Sequence, residues 1–209
     1  MHVIHNVCFP CAFQSLRFDF VTNSTISHLT SINSKNAHVN LFACKGIMID
    51  NIHLQAPADS PNTDGIHIGT SSTIEISNSI IATGDDCVSM SPGSQNILVR
   101  NVKCGPGHGI SVGSLGGSSG EEDVSGLLVT NCTFTGTDNG VRVKTWAKPH
   151  ASNVFNLTFE DIIMENVRNP IIIDQRYCPS ASCVQVTSSC PIIYCYICLC
   201  FLDGFFWFE

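Results

Sequence analysis

The stretch Asn62-Thr63-Asp64-Gly65-Ile66-His67-Ile68 is the first of three similar segments in this chain. The others are Gly84-Asp85-Asp86-Cys87-Val88-Ser89-Met90 and Gly107-His108-Gly109-Ile110-Ser111-Val112. When the segments are aligned on their last residues, Asp64, Asp86 and His108 are 22 positions apart, each two residues before an apolar-x-apolar strand. If each segment belongs to one turn of a coil, these three ionisable side chains stack on neighbouring strands about 4.8 Å apart.

The same periodicity covers most of the chain. Short apolar runs each contain one polar residue, and these polar residues recur at similar intervals: His28, Asn51, Asn78, Asn101, Asn131 and Asp161. A second apolar run follows each of them, and neither regular leucines nor a helical period is present. Two strands per repeat predict an all-β parallel β-helix. Stacked asparagines would be structural, since a side-chain amide both donates and accepts a hydrogen bond.

Three parts are expected along the chain. Residues 1–19 fit no repeat, residues 20–183 form the coil, and residues 184–209 are an aberrant apolar tail without a turn asparagine. The apolar part of the tail is shorter than the roughly 20 residues of a membrane span, so we expect no membrane partner. Because terminal turns of a coil need neighbours or caps, we expect an incomplete β-helix whose own activity is low.

The net charge limits the class of partner, and the cysteines indicate the redox compartment. The net charge of −7 argues against a nucleic-acid partner. Twelve cysteines are present, and Cys87–Cys104 and Cys178–Cys183 are the predicted disulfides, which implies an oxidising compartment. Residues 1–18 lack the basic start and apolar run of a signal peptide. Either the chain stays inside the cell or its natural N-terminus is missing.

One outer face of the coil gathers the charged residues. In each second strand the middle residue points outward, because side chains alternate across a strand. This outward column reads His67, Ser89, Ser111, Arg142 and Ile172. It lies beside the predicted column of Asp64, Asp86 and His108. We therefore expect acids, an imidazole and two cations, Arg142 and Lys144, on one face.

The clustered carboxylates suggest acid–base chemistry. Asp64, Asp85 and Asp86 cannot all ionise cheaply at such separation, so one pKa is raised and a protonated acid lies beside carboxylate bases. That is what glycosidic hydrolysis requires. A calcium site is the main alternative, because three carboxylates can hold a hard cation, although His108 is not a calcium ligand. A zinc site at Cys87, Cys104 and His108 is a weaker one.

The two cations suit an anionic substrate. Arginine offers a planar fork to a carboxylate, and lysine offers a point charge. A solvated pair of charges on a strand face is the bland alternative. The position of Arg142 and Lys144 on the acid face favours binding of a carboxylate-bearing substrate.

At these residues the sequence resembles the polygalacturonases, the pectin-cleaving glycoside hydrolases, most closely those of plants. The motifs that carry the resemblance are Asn62-Thr63-Asp64, Gly84-Asp85-Asp86, Gly107-His108-Gly109 and Arg142-Val143-Lys144. Val143 stands where many members have isoleucine. The resemblance covers about Leu16 to Cys183. It implies a right-handed parallel β-helix, secretion to the cell wall or apoplast, and hydrolysis of α-1,4-galacturonosyl linkages in pectin with inversion.

The resemblance also implies a role for each matching residue. Asp85 is expected to be the general acid, with Asp64 and Asp86 positioning and deprotonating water, and His108 tuning the protonation of the acid. Substrate binding falls to the residues Asn62, Arg142, Lys144 and Tyr177. No metal or other cofactor is expected, and the partner is polygalacturonic acid bound by a monomer.

Two other functions remain open at this point. One is a catalytically inactive β-helix that binds pectin or a wall protein. The other is a calcium-dependent pectate lyase, which shares the architecture but calls for a calcium site and an arginine base, and leaves His108 unexplained.

Overall fold

The structure is a computed structural model that describes residues 14–147, 150, 152–179 and, for the backbone alone, 197–200. All regular elements in these ranges are strands: β1 (Leu16–Asp19), β2 (Thr22–Ser27), β3 (Thr30–Ile32), β4 (Val39–Phe42), β5 (Lys45–Asp50), β6 (His53–Gln55), β7 (Ile66–Gly69), β8 (Ser72–Ala82), β9 (Val88–Met90), β10 (Gln95–Cys104), β11 (Ile110–Leu115), β12 (Val124–Thr135), β13 (Asn139–Trp146), β14 (Val154–Glu165), β15 (Asn169–Tyr177) and β16 (Ile197–Cys200). Over the same ranges, no helix is long and apolar enough to cross a bilayer.

The strands form two parallel sheets. Sheet A contains β1, β4, β7, β9, β11, β13 and β15 in that order, and sheet B contains β2, β5, β8, β10, β12, β14 and β16 in that order. The short strands β3 and β6 extend sheet B, where β3 pairs with β6 and β6 pairs with β8. Neighbours in each sheet come from successive turns of the chain. This confirms the predicted parallel β-helix.

The register predicted from the spacing of the three segments holds in sheet A. Val88 pairs with Ile66 on one side and with Ile110 on the other. Met90 likewise lies between Ile68 and Val112. All of these side chains are at most 1 % exposed and form part of one hydrophobic core between the sheets. Burial of these stacked aliphatic side chains stabilises each turn only because the next turn covers it.

The asparagine column, which we define as His28, Asn51, Asn78, Asn101, Asn131 and Asp161, lies where sheet B bends. Each of its members has a left-handed backbone, with φ between 50° and 54°. Asn101 Nδ2 donates to Asn78 Oδ1 at 2.6 Å, and Asn78 Nδ2 donates to Asp50 Oδ1 at 2.6 Å. Asparagine tolerates this conformation better than most residues and its amide can serve both neighbours, so the column is structural.

The described ends of the coil differ from the expected boundaries. Strand β1 pairs with β4, although we expected residues 1–19 to lie outside the repeat. Strand β16 pairs with β14, although we expected no rung in residues 184–209. The expected boundaries were drawn from the turn asparagines, and neither strand carries one. Parallel strands pair through backbone hydrogen bonds, which do not need a turn asparagine. The three-part division of the chain otherwise stays a prediction.

Candidate active site

The turns that precede β7, β9 and β11 stack by backbone hydrogen bonds. Gly65 N donates to Asp86 O at 2.9 Å, and Cys87 N donates to Gly109 O at 2.7 Å. Asp64, Asp86 and His108 therefore occupy equivalent positions on three successive turns, as the spacing predicted. We call the group that they form with Asp85, Arg142 and Lys144 the ionic cluster.

Asp86 is the buried centre of the ionic cluster, with 2 % of its surface exposed. Lys144 Nζ lies 3.0 Å from Asp86 Oδ2, and Arg142 Nη2 lies 3.3 Å from Asp86 Oδ1. Ser111 Oγ donates to Oδ1 at 2.7 Å. A buried carboxylate is costly unless it is paired and hydrogen-bonded, and these contacts supply two charges and one hydroxyl. Both predicted substrate-binding cations thus also hold an acid in place.

Asp64 gives up its proton less readily than an ordinary aspartate. Burial, followed by the negative charge of Asp86, raises the pKa of Asp64 to about 6. Ser89 Oγ donates to Asp64 Oδ2 at 2.6 Å and partly opposes this rise. At mildly acidic pH Asp64 is therefore divided between its neutral and ionised forms, beside a partner that is fully engaged with cations.

Asp85 and His108 form a hydrogen-bonded pair. His108 Nδ1 lies 3.0 Å from Asp85 Oδ1, and His108 Nε2 lies 3.7 Å from Asp138 Oδ2. Burial alone would raise the pKa of Asp85, but the hydrogen bond and charge of His108 outweigh it and lower that pKa. The same bond raises the pKa of His108. In this pair the proton therefore lies on the imidazole rather than on Asp85.

The two remaining predicted site residues join the cluster by different routes. The backbone N–H of Asn62 donates to Asp85 Oδ2 at 3.2 Å. The ring centroid of Tyr177 lies 5.4 Å from Lys144 Nζ, which places the cation over the ring. Tyr177 also packs edge-to-face against Trp146, with the ring centroids 5.1 Å apart. The structure thus brings all eight predicted site residues to one face.

The geometry weighs against both metal alternatives. One ligand atom each from Asp85, Asp86 and His108 lies within 4.8 Å of the others, which is close enough for one cation. The oxygens of Asp86, however, already contact Lys144 and Arg142, so a calcium ion would compete with two fixed positive charges. The cysteines are not free to bind zinc, because Cys87 and Cys104 form the predicted disulfide with a Cα–Cα distance of 6.0 Å.

One cysteine of the second predicted disulfide lies among the described residues. Cys178 is disulfide-bonded. Its predicted partner, Cys183, lies outside the described residues.

Three residues outside the predicted catalytic and substrate-binding sets complete the site. Ser89 and Ser111 belong to the predicted outward column, yet they are 3 % and 0 % exposed because acidic and basic side chains cover them. Asp138 lies beside His108. A signal for it was present, since Asp138 precedes Val141 by three residues just as Asp85 precedes Val88.

The chain matches one family model and several curated proteins over most of its length. The family model of glycosyl hydrolases family 28 matches residues 10–195. A polygalacturonase from Medicago sativa is 55 % identical over 178 residues, which are 85 % of this chain and 42 % of that protein. An exopolygalacturonase from Platanus acerifolia is 51 % identical over 178 residues, 85 % of this chain and 47 % of that protein.

A solved structure has the same fold. The polygalacturonase from Erwinia carotovora ssp. carotovora superimposes with a TM-score of 0.71 at 33 % identity, and the match covers 78 % of this chain and 43 % of that protein. The chain thus spans less than half the length of each of these relatives.

Proposed function

Because the chain belongs to glycosyl hydrolases family 28, we propose that the ionic cluster is the catalytic site of a polygalacturonase that hydrolyses α-1,4-galacturonosyl linkages in pectin with inversion. The observation that supports this most directly is the division of proton states within one cluster. The pKa of Asp64 is raised to about 6, whereas the pKa of Asp85 is lowered and that of its partner His108 is raised. A glycosidase needs a proton donor beside an ionised acceptor. Here the donor is the Asp85–His108 pair, whose proton lies on the imidazole, and the acceptor is Asp64 in its ionised form.

In the proposed reaction Asp64 activates the water. The ionised form of a carboxyl group with a pKa of about 6 is a stronger base than an ordinary aspartate, and it predominates above that pH. Asp64 takes a proton from water, whose oxygen bonds to the anomeric carbon as the glycosidic bond breaks. Asp86 is held by Lys144 and Arg142 and positions the water rather than taking its proton.

Asp85 is proposed to deliver the proton to the leaving oxygen, with His108 as the proton's source. The 3.0 Å hydrogen bond between their side chains lets one proton be shared by the pair. When Asp85 protonates the leaving oxygen, the imidazole loses its charge and the proton balance closes. His108 therefore tunes the acid, which is the role that the resemblance implied.

Arg142 is proposed to bind the substrate carboxylate together with Lys144 and the nearby Tyr177. Its contacts with Ser111 and Asp86 engage Nε and Nη2. A guanidinium carries five N–H groups, which leaves capacity for a second carboxylate. Asn62 would act through its backbone, by holding Asp85.

The proposed location is the cell wall, with the chain acting as a monomer. A disulfide joins Cys87, the residue after Asp86, to the end of β10, and such bonds persist in oxidising compartments. Mass spectrometry of the protein isolated from intact tissue should find Cys87 and Cys104 oxidised and the protein in the wall fraction. Reduced cysteines in a cytosolic fraction would contradict this location.

The decisive experiment measures new reducing ends when the chain acts on polygalacturonate with a metal chelator present. A hydrolase stays active and yields no unsaturated product. A pectate lyase yields an unsaturated product that disappears on chelation, and a binding protein is retained on immobilised polygalacturonate without cleaving it. Asp85→Asn should abolish turnover and preserve binding, and turnover near that of the parent would overturn its assignment. Proton NMR of the first product distinguishes inversion from retention.

A further inference from the structure

Four side chains form a continuous line of hydrogen bonds that ends at the proposed base. Ser91 Oγ lies 3.3 Å from His67 Nε2, and His67 Nδ1 lies 2.8 Å from Ser89 Oγ. Ser89 Oγ in turn donates to Asp64 Oδ2 at 2.6 Å. His67 and Ser89 are register partners on neighbouring strands of sheet A. The line therefore runs across one step of the coil and not along a flexible loop.

The ionised carboxylate fixes the direction of every bond in this line. Asp64 can only accept, so the single proton of the Ser89 hydroxyl is committed to it. Ser89 must then accept from His67, which places the imidazole proton on Nδ1. The bare Nε2 is left to accept from the hydroxyl of Ser91. All three donors thus point toward Asp64.

Burial keeps the imidazole neutral and the line intact. Burial lowers the pKa of His67; the nearby charge of Asp86 opposes this, and that of Lys144 adds to it. The charged groups that face Asp64 are Asp86, Asp85 and Lys144. The hydroxyl of Ser89 and the positive charge of Lys144 oppose the effect of burial and of the two acids on Asp64. Polarisation of that hydroxyl by His67 strengthens its bond to the carboxylate.

We propose that His67 is a positioning residue that acts through Ser89 to orient Asp64 and to favour its ionised form. Neither the predicted catalytic set nor the predicted substrate-binding set included His67. Its consequence for the rate rests on the proposed function, but its effect on Asp64 does not. Protonation of a carboxyl group can be measured whether or not the chain cleaves a polymer.

The test uses two variants of similar size. His67→Leu removes the donor, whereas His67→Asn retains an N–H donor near the position of Nδ1. NMR titration of the chain labelled with ¹³C at the aspartate carboxyl carbons gives the midpoint for Asp64. We expect His67→Leu to raise that midpoint by roughly half a pH unit and His67→Asn to restore most of it. Ser89→Ala should raise it by about one unit, because the last donor is lost.

The controls separate this proposal from a packing effect and from the proposed function. If Ser89→Ala moves the midpoint while His67→Leu leaves it unchanged, the proposal is overturned. If His67→Leu does not fold, Ser91→Ala weakens the same line from its far end and should raise the midpoint by a smaller amount; an unchanged midpoint in that variant then overturns the proposal. In an active chain, the acidic limb of kcat/KM should move with the midpoint. An inactive chain with shifted midpoints supports the line of hydrogen bonds without supporting the proposed function, so the two outcomes are distinguishable.

Discussion

The asparagine column and the ionic cluster are both ladders of polar side chains on successive turns. They differ in the free energy that is needed to stack them. In the asparagine column most members are neutral amides, and Asn101 and Asn78 pass hydrogen bonds in line to Asp50. In the ionic cluster, carboxylates repeat instead, and Asp86 needs a lysine, an arginine and a serine to be buried.

The difference shows that repetition favours amides and penalises charges. An amide donates to one neighbour and accepts from the other, so each added turn satisfies the last. A carboxylate only accepts, and a second one nearby raises its pKa, as Asp86 does for Asp64. A coil can therefore extend an asparagine column freely, whereas a column of acids requires cations from a different turn. The following predictions test this difference, from the largest effect to the smallest.

Lys144→Met should destabilise the chain most, by about 3 kcal/mol in the free energy of unfolding, because it leaves the buried carboxylate of Asp86 with one cation. Urea denaturation measures the loss. The double variant with Asp86→Asn should recover part of it, which a double-mutant cycle reports as coupling. A loss below about 1 kcal/mol, the range of an exposed ion pair, would contradict the cost assigned to the cluster.

Asp64→Asn should stabilise the chain at neutral pH by about 2–3 kcal/mol. The folded-state pKa of about 6 lies above the ordinary value of about 3.9, so ionisation of Asp64 opposes folding. The favourable contribution of its proton is complete below about pH 4 and is lost as the pH rises through 6. Melting curves at pH 4 and pH 7 should differ between variant and parent only at pH 7. The exposed Asp59→Asn serves as control and should change neither curve.

Asn101→Ala should cost about 1 kcal/mol, because alanine is strained at the φ of 53° that this residue adopts. Asn101→Gly removes the same amide without that strain and should cost less. Chemical denaturation of both variants separates backbone strain from the lost hydrogen bond. Equal losses would mean that the amide, not the left-handed backbone, selects asparagine here. Neither variant should alter the titration of Asp64.

Glu75→Gln should have the smallest effect, about 0.5 kcal/mol or less. Arg100 Nη2 lies 2.7 Å from Glu75 Oε1, but their side chains are 46 % and 30 % exposed. Water screens such a pair, and high salt should remove the difference between variant and parent. A salt-resistant loss as large as that of Lys144→Met would mean that burial does not distinguish the two kinds of ion pair.

Spacing predicted the backbone of the site well. The equal spacing of Ile66, Val88 and Ile110 fixed the partners of Val88, because a strand that slipped by one residue would turn its aliphatic side chains outward. The earliest turns were less regular. There Val39 is the partner of Ile66, 27 residues further along the chain, and beyond the regular turns Ile110 is the partner of Val141, 31 residues further along. Longer turns absorb the extra residues, and turn length is not encoded in the alternation of apolar side chains.

Side-chain pairing was harder to foresee than backbone register. His108 belongs to the column of Asp64 and Asp86, yet its imidazole bonds to Asp85. The positions of the α-carbons follow from the repeat, but the direction of each side chain depends on the turn that carries it. The burial of Lys144 at 8 % exposure likewise follows from contacts across three turns, which no single repeat contains.

The two short hydroxyl side chains in the outward column form a depression in the outer surface of sheet A. Ser89 and Ser111 stand between the longer His67 and Arg142, and the space above them is occupied by the carboxylates of neighbouring turns. A bulkier residue at either position would fill that space and lift the carboxylate toward solvent, while the aliphatic side chains on the opposite face of the same strand stayed packed. Substitutions in the outward column can therefore change the shape of this surface one turn at a time, while the packing of the interior stays the same.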